Sequence, residues 1–388
     1  MKIAWIATSG RDSLKRWHET KHPGLGTTVV SMMEGFREYP EHEIHVLMAV
    51  RRACQPPWRE GNIVYHEVPT PMWGMMKSLY CGSTRALLRK LREIRPDVVH
   101  GQGTERECAI PAIFSGLPNV LTIHGNMAEL ARLQGARPFS FHWLAARLED
   151  FVLPRTDGVF CNSAYTHSLV APRAKKTWMV PNPLMSEFFQ PRSESQLHEF
   201  PTIIHVGVVS PRKHQVEVLR AAINIHKIIP DLRWHFIGPA SDDGYSETFR
   251  KMVESPVCRR FVRHFGRMEY QQIREEMDCC HAMVHFAFEE SFGLVVAEGI
   301  ARGLKMFCAN VGGLKDICAN VSGVELFSTP DWPGLEERIC SWHEQGASRS
   351  ECGVSLMRDR YHPKVIAKMH LDIYQELLGA GQQAPFTR

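Results

Sequence analysis

The 388-residue chain has no apolar run near the about 18 residues that a bilayer-spanning helix requires. Its opening segment, MKIAWIATSG, turns to charge without the longer apolar stretch and small-residue cleavage site of a secretory leader. A cytoplasmic chain is expected rather than a membrane-spanning or secreted one. The eleven cysteines form no C-x-x-C pair, are odd in number and lie scattered apart from the adjacent Cys279 and Cys280, which reads as a reduced chain with neither a zinc site nor a disulfide framework. Neither half carries G-x-G-x-x-G after its first strand candidate, so a nicotinamide dehydrogenase is disfavoured. No compact Lys/Arg run is interleaved with aromatics, which argues against nucleic acid as a partner. Periodic repeats and low-complexity tracts are missing too.

What is present is a chain of ordinary globular composition, 44% hydrophobic and 23% charged, long enough at about 150 residues per domain for two cores. The formal net charge of +4 hides an asymmetry: residues 1–185 hold 23 Lys and Arg against 16 Asp and Glu, and the remainder 23 against 26. A basic half favours an anionic partner, such as a phosphorylated acceptor or an anionic membrane surface, or is a solvated face with none. Short apolar runs alternate with helical patterns. Strands are predicted at 2–7, 43–49, 63–68, 97–100, 119–123, 157–161 and 177–180, then at 202–206, 233–237, 261–265, 282–286, 305–309 and 324–327. Between the two sets, residues 181–201 carry four prolines and read as a linker. The fold class is α/β, with two Rossmann-like units in tandem whose ligands bind outside the carboxyl ends of the strands. The expected division is 1–185, 186–378 and a disordered tail at 379–388.

The most informative segment is 289–303, EESFGLVVAEGIARG, which follows a buried-strand candidate and opens a helical pattern. Ser291, Phe292, Gly293 and Leu294 would set backbone N–H groups at a helix start, where the dipole and unpaired donors favour an anion. Glu290 stands just before that start and Glu298 about two turns in, roughly 10 Å away on a helical rise. This exceeds the about 5 Å of a retaining glycosidase pair, so the carboxylates suit different parts of one extended ligand. A capped helix with two solvated glutamates is the equally available local reading.

With F-G-L between them, Glu290 and Glu298 resemble the E-x7-E element of the retaining GT-B glycosyltransferases of family 4. In the order of that family, residues 23–27 (PGLGT) are similar to its amino-terminal glycine loop, 122–125 (TIHG) to its His-Gly loop and 180–183 (VPNP) to the close of its first domain. Residues 205–213 (HVGVVSPRK) resemble its donor-phosphate loop and 311–316 (VGGLKD) its late glycine turn. The fold so implied is GT-B, two Rossmann-like domains facing each other across a cleft, with an acceptor-binding first domain and a nucleotide-sugar-binding second one.

The resemblance implies roles residue by residue. Lys213 and Arg212 would neutralise the donor diphosphate and the leaving group, Glu290 would accept from donor-sugar hydroxyls, and Glu298 would hold the ribose. Gly24, Gly26 and Gly207 would let backbone approach the donor, Phe292 to Leu294 would present N–H groups, and Arg267 and Met268 in the loop 265–268 would lie beside the base. His124 would contact the transferred sugar or the acceptor hydroxyl. The chain departs from the family at Pro23 for Gly, Val208 for Arg, His214 for Gly, Phe286-Ala287 for Pro-Ser and Asp316 for Glu. Arg212 then either supplies the missing guanidinium or is a surface residue beside Lys213.

The implied activity is transfer of a sugar, with retention, from a nucleotide donor to a glycan, lipid-linked or small-molecule acceptor, in cell-surface polysaccharide or glycoconjugate synthesis. No cofactor or metal is expected, since no Asp-x-Asp stands at a strand end. A non-catalytic GT-B nucleotide-sugar-binding protein, or a GT-B epimerase or hydrolase, is the alternative. Residues 85–95 (RALLRKLREIR) read either as a membrane-surface helix, peripheral at the inner face of an anionic membrane, or as a sheet-covering helix with a basic outer face. Trp73, Met75 and Met76 in 71–80 are core or acceptor contacts.

Overall fold

The computed structural model describes residues 1–8, 25–50, 54–71, 78–192, 197–328 and 331–382. The chain divides into two compact units, Met1–Met185 with Tyr361–Arg388, and Ser186–Arg360. In the first, strands β1 (Lys2–Ala7), β2 (Glu43–Val50), β3 (Trp58–Glu60), β4 (Ile63–Pro69), β5 (Val98–Gln102), β6 (Asn119–Ile123), β7 (Gly158–Cys161) and β8 (Thr177–Met179) form one sheet. Its order is β3-β4-β2-β1-β5-β6-β7-β8, parallel throughout except for β3 against β4. Continuous runs such as EIHVLMAV and NVLTI form these strands because helices cover both faces and every position along them except Glu43 is buried.

The second unit is a parallel sheet of β9 (Thr202–Val206), β10 (Arg233–Ile237), β11 (Val262–His264), β12 (Ala282–His285), β13 (Lys305–Ala309) and β14 (Val324–Phe327). Its order is β11-β10-β9-β12-β13-β14, the doubly wound arrangement. Strand order reverses between β9 and β12 here, and between β1 and β5 in the first unit. Loops leaving those strands at their carboxyl ends are therefore splayed apart, which is where such sheets hold ligands. All thirteen predicted strands are present, and β3 is an addition.

One expectation requires correction. The sequence reading gives residues 361–378 to the second unit, whereas the helix Pro363–Gln382 packs on the first. Ile366, Ala367, Leu371 and Tyr374 complete that unit's core, and Gly35 on the helix Thr27–Arg37 admits the contact, because a Cβ there would lie 2.2 Å from the Pro363 oxygen. Tyr374 fixes the register: its hydroxyl accepts from Trp5 Nε1 at 3.1 Å and donates to His100 Nδ1 at 2.5 Å. The expected tail is helical as far as Gln382, and 383–388 lie outside the described residues.

The basic segment 85–95 falls mostly in the helix Cys81–Ile94, which buries Leu87, Leu91 and Ile94 in the first core and exposes Arg85, Arg89 and Arg92. That is the sheet-covering arrangement. No helix among the described residues is long and apolar enough to cross a membrane.

Candidate active site

The topological switch of the second sheet brings together the loops that follow β9 and β12. Backbone bonds fasten one to the other: Phe288 N donates to Arg212 O at 2.8 Å, and the His214 ring bonds through Nδ1 to Phe286 O at 2.9 Å. Two basic residues on the first loop then face two acidic residues on the second. Arg212 Nη1 lies 3.5 Å from Glu289 Oε2, and Lys213 Nζ is ion-paired with Glu290 Oε2. Lys213 and Glu290 are largely withdrawn from solvent, with side chains 13% and 14% exposed, whereas Arg212 keeps 42%.

Two histidines line this cluster from the strand ends. His285, the last residue of β12, places Nε2 3.3 Å from Glu290 Oε2 and 3.4 Å from Lys213 Nζ. His205, the last residue but one of β9, sets Nε2 3.2 Å from Lys213 O. Neither is among the site residues read from the sequence. The available signal was a lone histidine near the end of an otherwise apolar strand, repeated in two strands (TIIHV, AMVHF) that the topology makes neighbours.

Burial alone would raise the Glu290 carboxyl. The Lys213 ammonium and the His285 ring outweigh it and hold the carboxyl well below the usual range. Glu289 moves the other way, pushed up by burial and by the neighbouring Glu290 charge, against the pull of Arg212. Burial, with Lys213 adding to it, keeps His285 neutral. The outcome is a carboxylate fixed as an acceptor beside a fixed cation, in a setting that water screens poorly.

After Glu290 the chain turns through buried Ser291 and Phe292 into the helix Leu294–Ala301. Gly293 caps that helix at φ +105°, and a Cβ there would meet Leu314 Cδ2 at 2.2 Å, so the turn tolerates only glycine. Val296 and Ala297 donate to Gly293 O, which leaves the Leu294 and Val295 amides as the unpaired donors that every helix start exposes. The glycine turn 311–316 is tied to the same place, with Gly313 N donating to Glu290 O at 2.9 Å. Glu298 lies on the buried face of the helix, and burial together with the Glu187 charge pushes its carboxyl up to about 8. Neither glutamate is solvated, which removes the capped-helix alternative.

The remaining residues read from the sequence fall as follows. Gly207 ends β9 beside the Lys213 stem, 3.7 Å from Cγ to a Cβ position. Arg267 is exposed and Met268 half-buried after β11, two strands from β9 at the same sheet edge. In the first unit, His124 follows β6 and bonds through Nε2 to Gln102 Oε1 at 3.0 Å at the end of β5; burial lowers its pKa to about 4 and so keeps the ring neutral. Gly26 caps the helix Thr27–Arg37 without a side-chain bond. Gly24 lies outside the described residues, as do Pro23, Trp73, Met75 and Met76.

Comparison with known proteins bears on the family and the fold. The family described as Glycosyl transferases group 1 matches residues 187–354, and Glycosyltransferase Family 4 matches residues 23–187. The phosphatidylinositol N-acetylglucosaminyltransferase gpi3 subunit of Schizosaccharomyces pombe is 26% identical over 241 residues, which cover 53% of this chain and 52% of that one. The chain thus spans about half the length of the curated relatives it matches. Sucrose-phosphate synthase of Thermosynechococcus elongatus superimposes with a TM-score of 0.79 at 16% identity, over 98% of this chain and 100% of that one. HepE of Anabaena, solved with UDP and glucose, gives 0.73 at 15% identity, over 97% and 100%. These likenesses show the fold, the GT-B arrangement of two Rossmann-like units.

Proposed function

Because the chain belongs to the glycosyltransferases, its second part matching group 1 and its first part Family 4, we propose that it moves a sugar from a nucleoside diphosphate onto a lipid-linked or glycan acceptor with retention of anomeric configuration. The observation that carries this reading is the buried Lys213–Glu290 pair at the β9/β12 switch, set against the start of the helix Leu294–Ala301. The donor diphosphate is met by Lys213, Arg212 and the Leu294 and Val295 amides, all positive before any ligand arrives. Glu290, held ionised, accepts from sugar hydroxyls. Glu298 bonds the vicinal hydroxyls of the ribose. His124, neutral at physiological pH, contacts the transferred sugar or the acceptor.

In the proposed step the bond from the anomeric carbon to the diphosphate oxygen breaks while a bond to the acceptor oxygen forms on the same face. The departing phosphate oxygen takes the acceptor's proton. The protein contributes position and charge rather than a nucleophile. Diphosphate charge is answered by side chains and amides, so no metal is required. UDP bound to HepE makes a UDP-sugar the first donor to test. A lipid-linked acceptor at the surface of an anionic membrane is favoured by the gpi3 relative and by an apolar cavity of about 380 Å³ in the first unit, walled by Leu79, Phe114, Leu148 and Phe151 with Arg147 beside them.

The test is turnover of a panel of nucleotide sugars by the purified chain, with phosphatidylinositol in mixed micelles and with free glycans as acceptors. Coupled release of nucleotide and appearance of glycosylated product is expected. Donor binding without any turnover would establish the non-catalytic alternative, and nucleotide release without product the hydrolase.

A further inference from the structure

Four side chains of metal-binding type meet in the second unit at a place the transferase reading leaves without a role. His198 comes from the segment before β9, His235 from the middle of β10, Glu276 from the helix Tyr270–Cys279, and Cys280 from the residue that ends it. Glu276 and Cys280 are four apart and so project from one helix face. Glu276 Oε1 lies 2.8 Å from His198 Nε2, 2.5 Å from His235 Nδ1 and 3.5 Å from Cys280 Sγ. One donor atom from each of the four falls within 4.8 Å of all the others. The two rings stand edge to face with centroids 5.0 Å apart, each aiming a nitrogen at the same point. His198 is also held by its backbone, N donating to Cys279 O at 3.0 Å.

The chemistry of the set narrows the occupant. Two imidazoles, one carboxylate and one thiol make a borderline-soft, four-donor environment of the kind that takes zinc in tetrahedral geometry. With bonds of about 2.0–2.3 Å, the edges of such a tetrahedron are roughly 3.3–3.7 Å, and the present separations straddle them. A carboxylate and a thiolate neutralise the dication, so occupancy leaves no net charge in a buried place. A hard cation suits the site poorly, because such ions take oxygen ligands and only one of the four donors here is an oxygen. The cavity, about 350 Å³ and reaching His198 and His235, is the entry path.

We propose that His198, His235, Glu276 and Cys280 are the ligands of a zinc ion that fastens the segment leading into β9 to the body of the second unit. On binding, the Cys280 thiol gives its proton to solvent and its sulfur to the metal. His198 and His235 each move the ring proton to the other nitrogen, freeing Nε2 and Nδ1 as ligands. Because the cluster joins residue 198 to residues 235, 276 and 280, its effect is on the anchoring of that segment. The donor site, built on other loops, stays as it is.

The experiment uses the full chain, purified, stripped with a chelator and dialysed. Zn²⁺ alone, titrated in competition with a chromophoric chelator, should bind at about one equivalent and raise the unfolding temperature. His198→Ala, on a partly exposed segment where folding is safe, and Cys280→Ser should each weaken binding by no less than the about 10–100-fold that loss of an outer-shell partner costs. Cys279→Ser should bind as the parent does. Cobalt(II) loading should give thiolate charge-transfer absorption that Cys280→Ser abolishes. No bound zinc and no thermal shift, or binding that His198→Ala leaves unchanged, overturns the proposal.

Discussion

His214 and Phe286, two positions at which this chain departs from the family pattern, are bonded to each other: the His214 ring meets the Phe286 backbone oxygen at 2.9 Å. At the place where the family pattern it resembles has glycine, His214 sits at φ +54° in left-handed conformation, at a cost of about 1–2 kcal/mol. The ring offsets this by bridging the β9 and β12 loops and by packing edge-on against Trp332 at 5.7 Å. The Phe286 ring packs on the same Trp332 at 4.9 Å, so the two side chains share one neighbour where the β9 and β12 loops meet.

His214→Ala keeps the strained Cβ and loses both ring contacts, so it should destabilise the second unit by about 1–3 kcal/mol. His214→Gly loses the same contacts but relieves the strain, recovering about 1 kcal/mol. Urea unfolding of the three proteins orders them parent, Gly, Ala. Alanine equal to or above glycine would show that the backbone at 214 is not strained.

Lys213 meets the donor diphosphate in the proposed reaction and is also the partner that keeps Glu290 ionised. Lys213→Met should lower kcat about 10²–10³-fold, the usual loss when one preorganised donor to a developing anion is removed. It also strands the Glu290 charge, so stability should fall by about 3–5 kcal/mol. Adding Glu290→Gln should restore much of the stability and none of the activity. A double variant as unstable as Lys213→Met would place the Glu290 charge elsewhere than on Lys213.

Arg212 is more exposed and its link to Glu289 is long, at 3.5 Å. If it provides the guanidinium that relatives place at position 208, Arg212→Ala should lower kcat/KM by tenfold or more, about 1.4 kcal/mol of transition-state stabilisation. Unchanged kcat/KM would remove it from the site and leave Lys213, among the described residues, as the side-chain cation beside Glu290.

The strands were readable because both sheets are parallel and covered on two faces, so each strand is an apolar run bounded by turn residues. β3 escaped because an edge strand of three residues needs no such run, although Gly61-Asn62 before β4 is a two-residue hairpin signal. Residues 361–378 were misassigned because chain adjacency says nothing of which core a helix face fits; the fit is decided by Gly35 and Tyr374, distant in sequence from that helix and from Trp5 respectively. Glu290 and Glu298 were legible as a spacing pattern, and Lys213 through the resemblance of residues 205–213 to the family's donor-phosphate loop. Their partners His205 and His285 were not, because a single histidine in an apolar strand reads as a satisfied core residue until the topology sets two such strands side by side. The same holds for His198 and His235, which only the fold brings to Glu276.

Stability should peak at about pH 7, where the protons these histidines take up on unfolding balance the one Glu298 gives up. Burial lowers the folded pKa of His66, His124 and His370 to about 4 and, with neighbouring positive charge, that of His205 to about 3, against about 6.5 in the unfolded chain. The unfolded state thus binds more protons between these values. The stability these rings contribute is complete above about pH 6.5 and is lost as pH falls toward 4. Glu298 runs the other way: with a folded pKa of about 8 against about 4.3 unfolded, it lowers stability as pH climbs between the two. Glu298→Gln should flatten the alkaline side and steepen the acid side by about one proton, which unfolding midpoints from pH 5 to 8.5 would read. An unchanged alkaline slope would mean that Glu298 is ionised in the folded protein.

Tyr374 tests whether the last helix belongs to the first unit in energy as well as in contact. Its hydroxyl is the shared partner of Trp5 on β1 and His100 on β5, and His100 Nε2 donates onward to Thr122 Oγ1 at 2.7 Å, so one oxygen closes a buried chain across three strands. Tyr374→Phe removes that oxygen without changing the ring, leaving the Trp5 N–H and the His100 acceptor unpaired, at about 1–3 kcal/mol. The loss should fall on the first unit alone. In limited proteolysis under mild urea, sites within 1–185 should open earlier in the variant while those within 186–360 keep the parental rate. Equal acceleration in both would mean that the helix stabilises the chain as a whole and that residues 361–382 are not a private part of the first core.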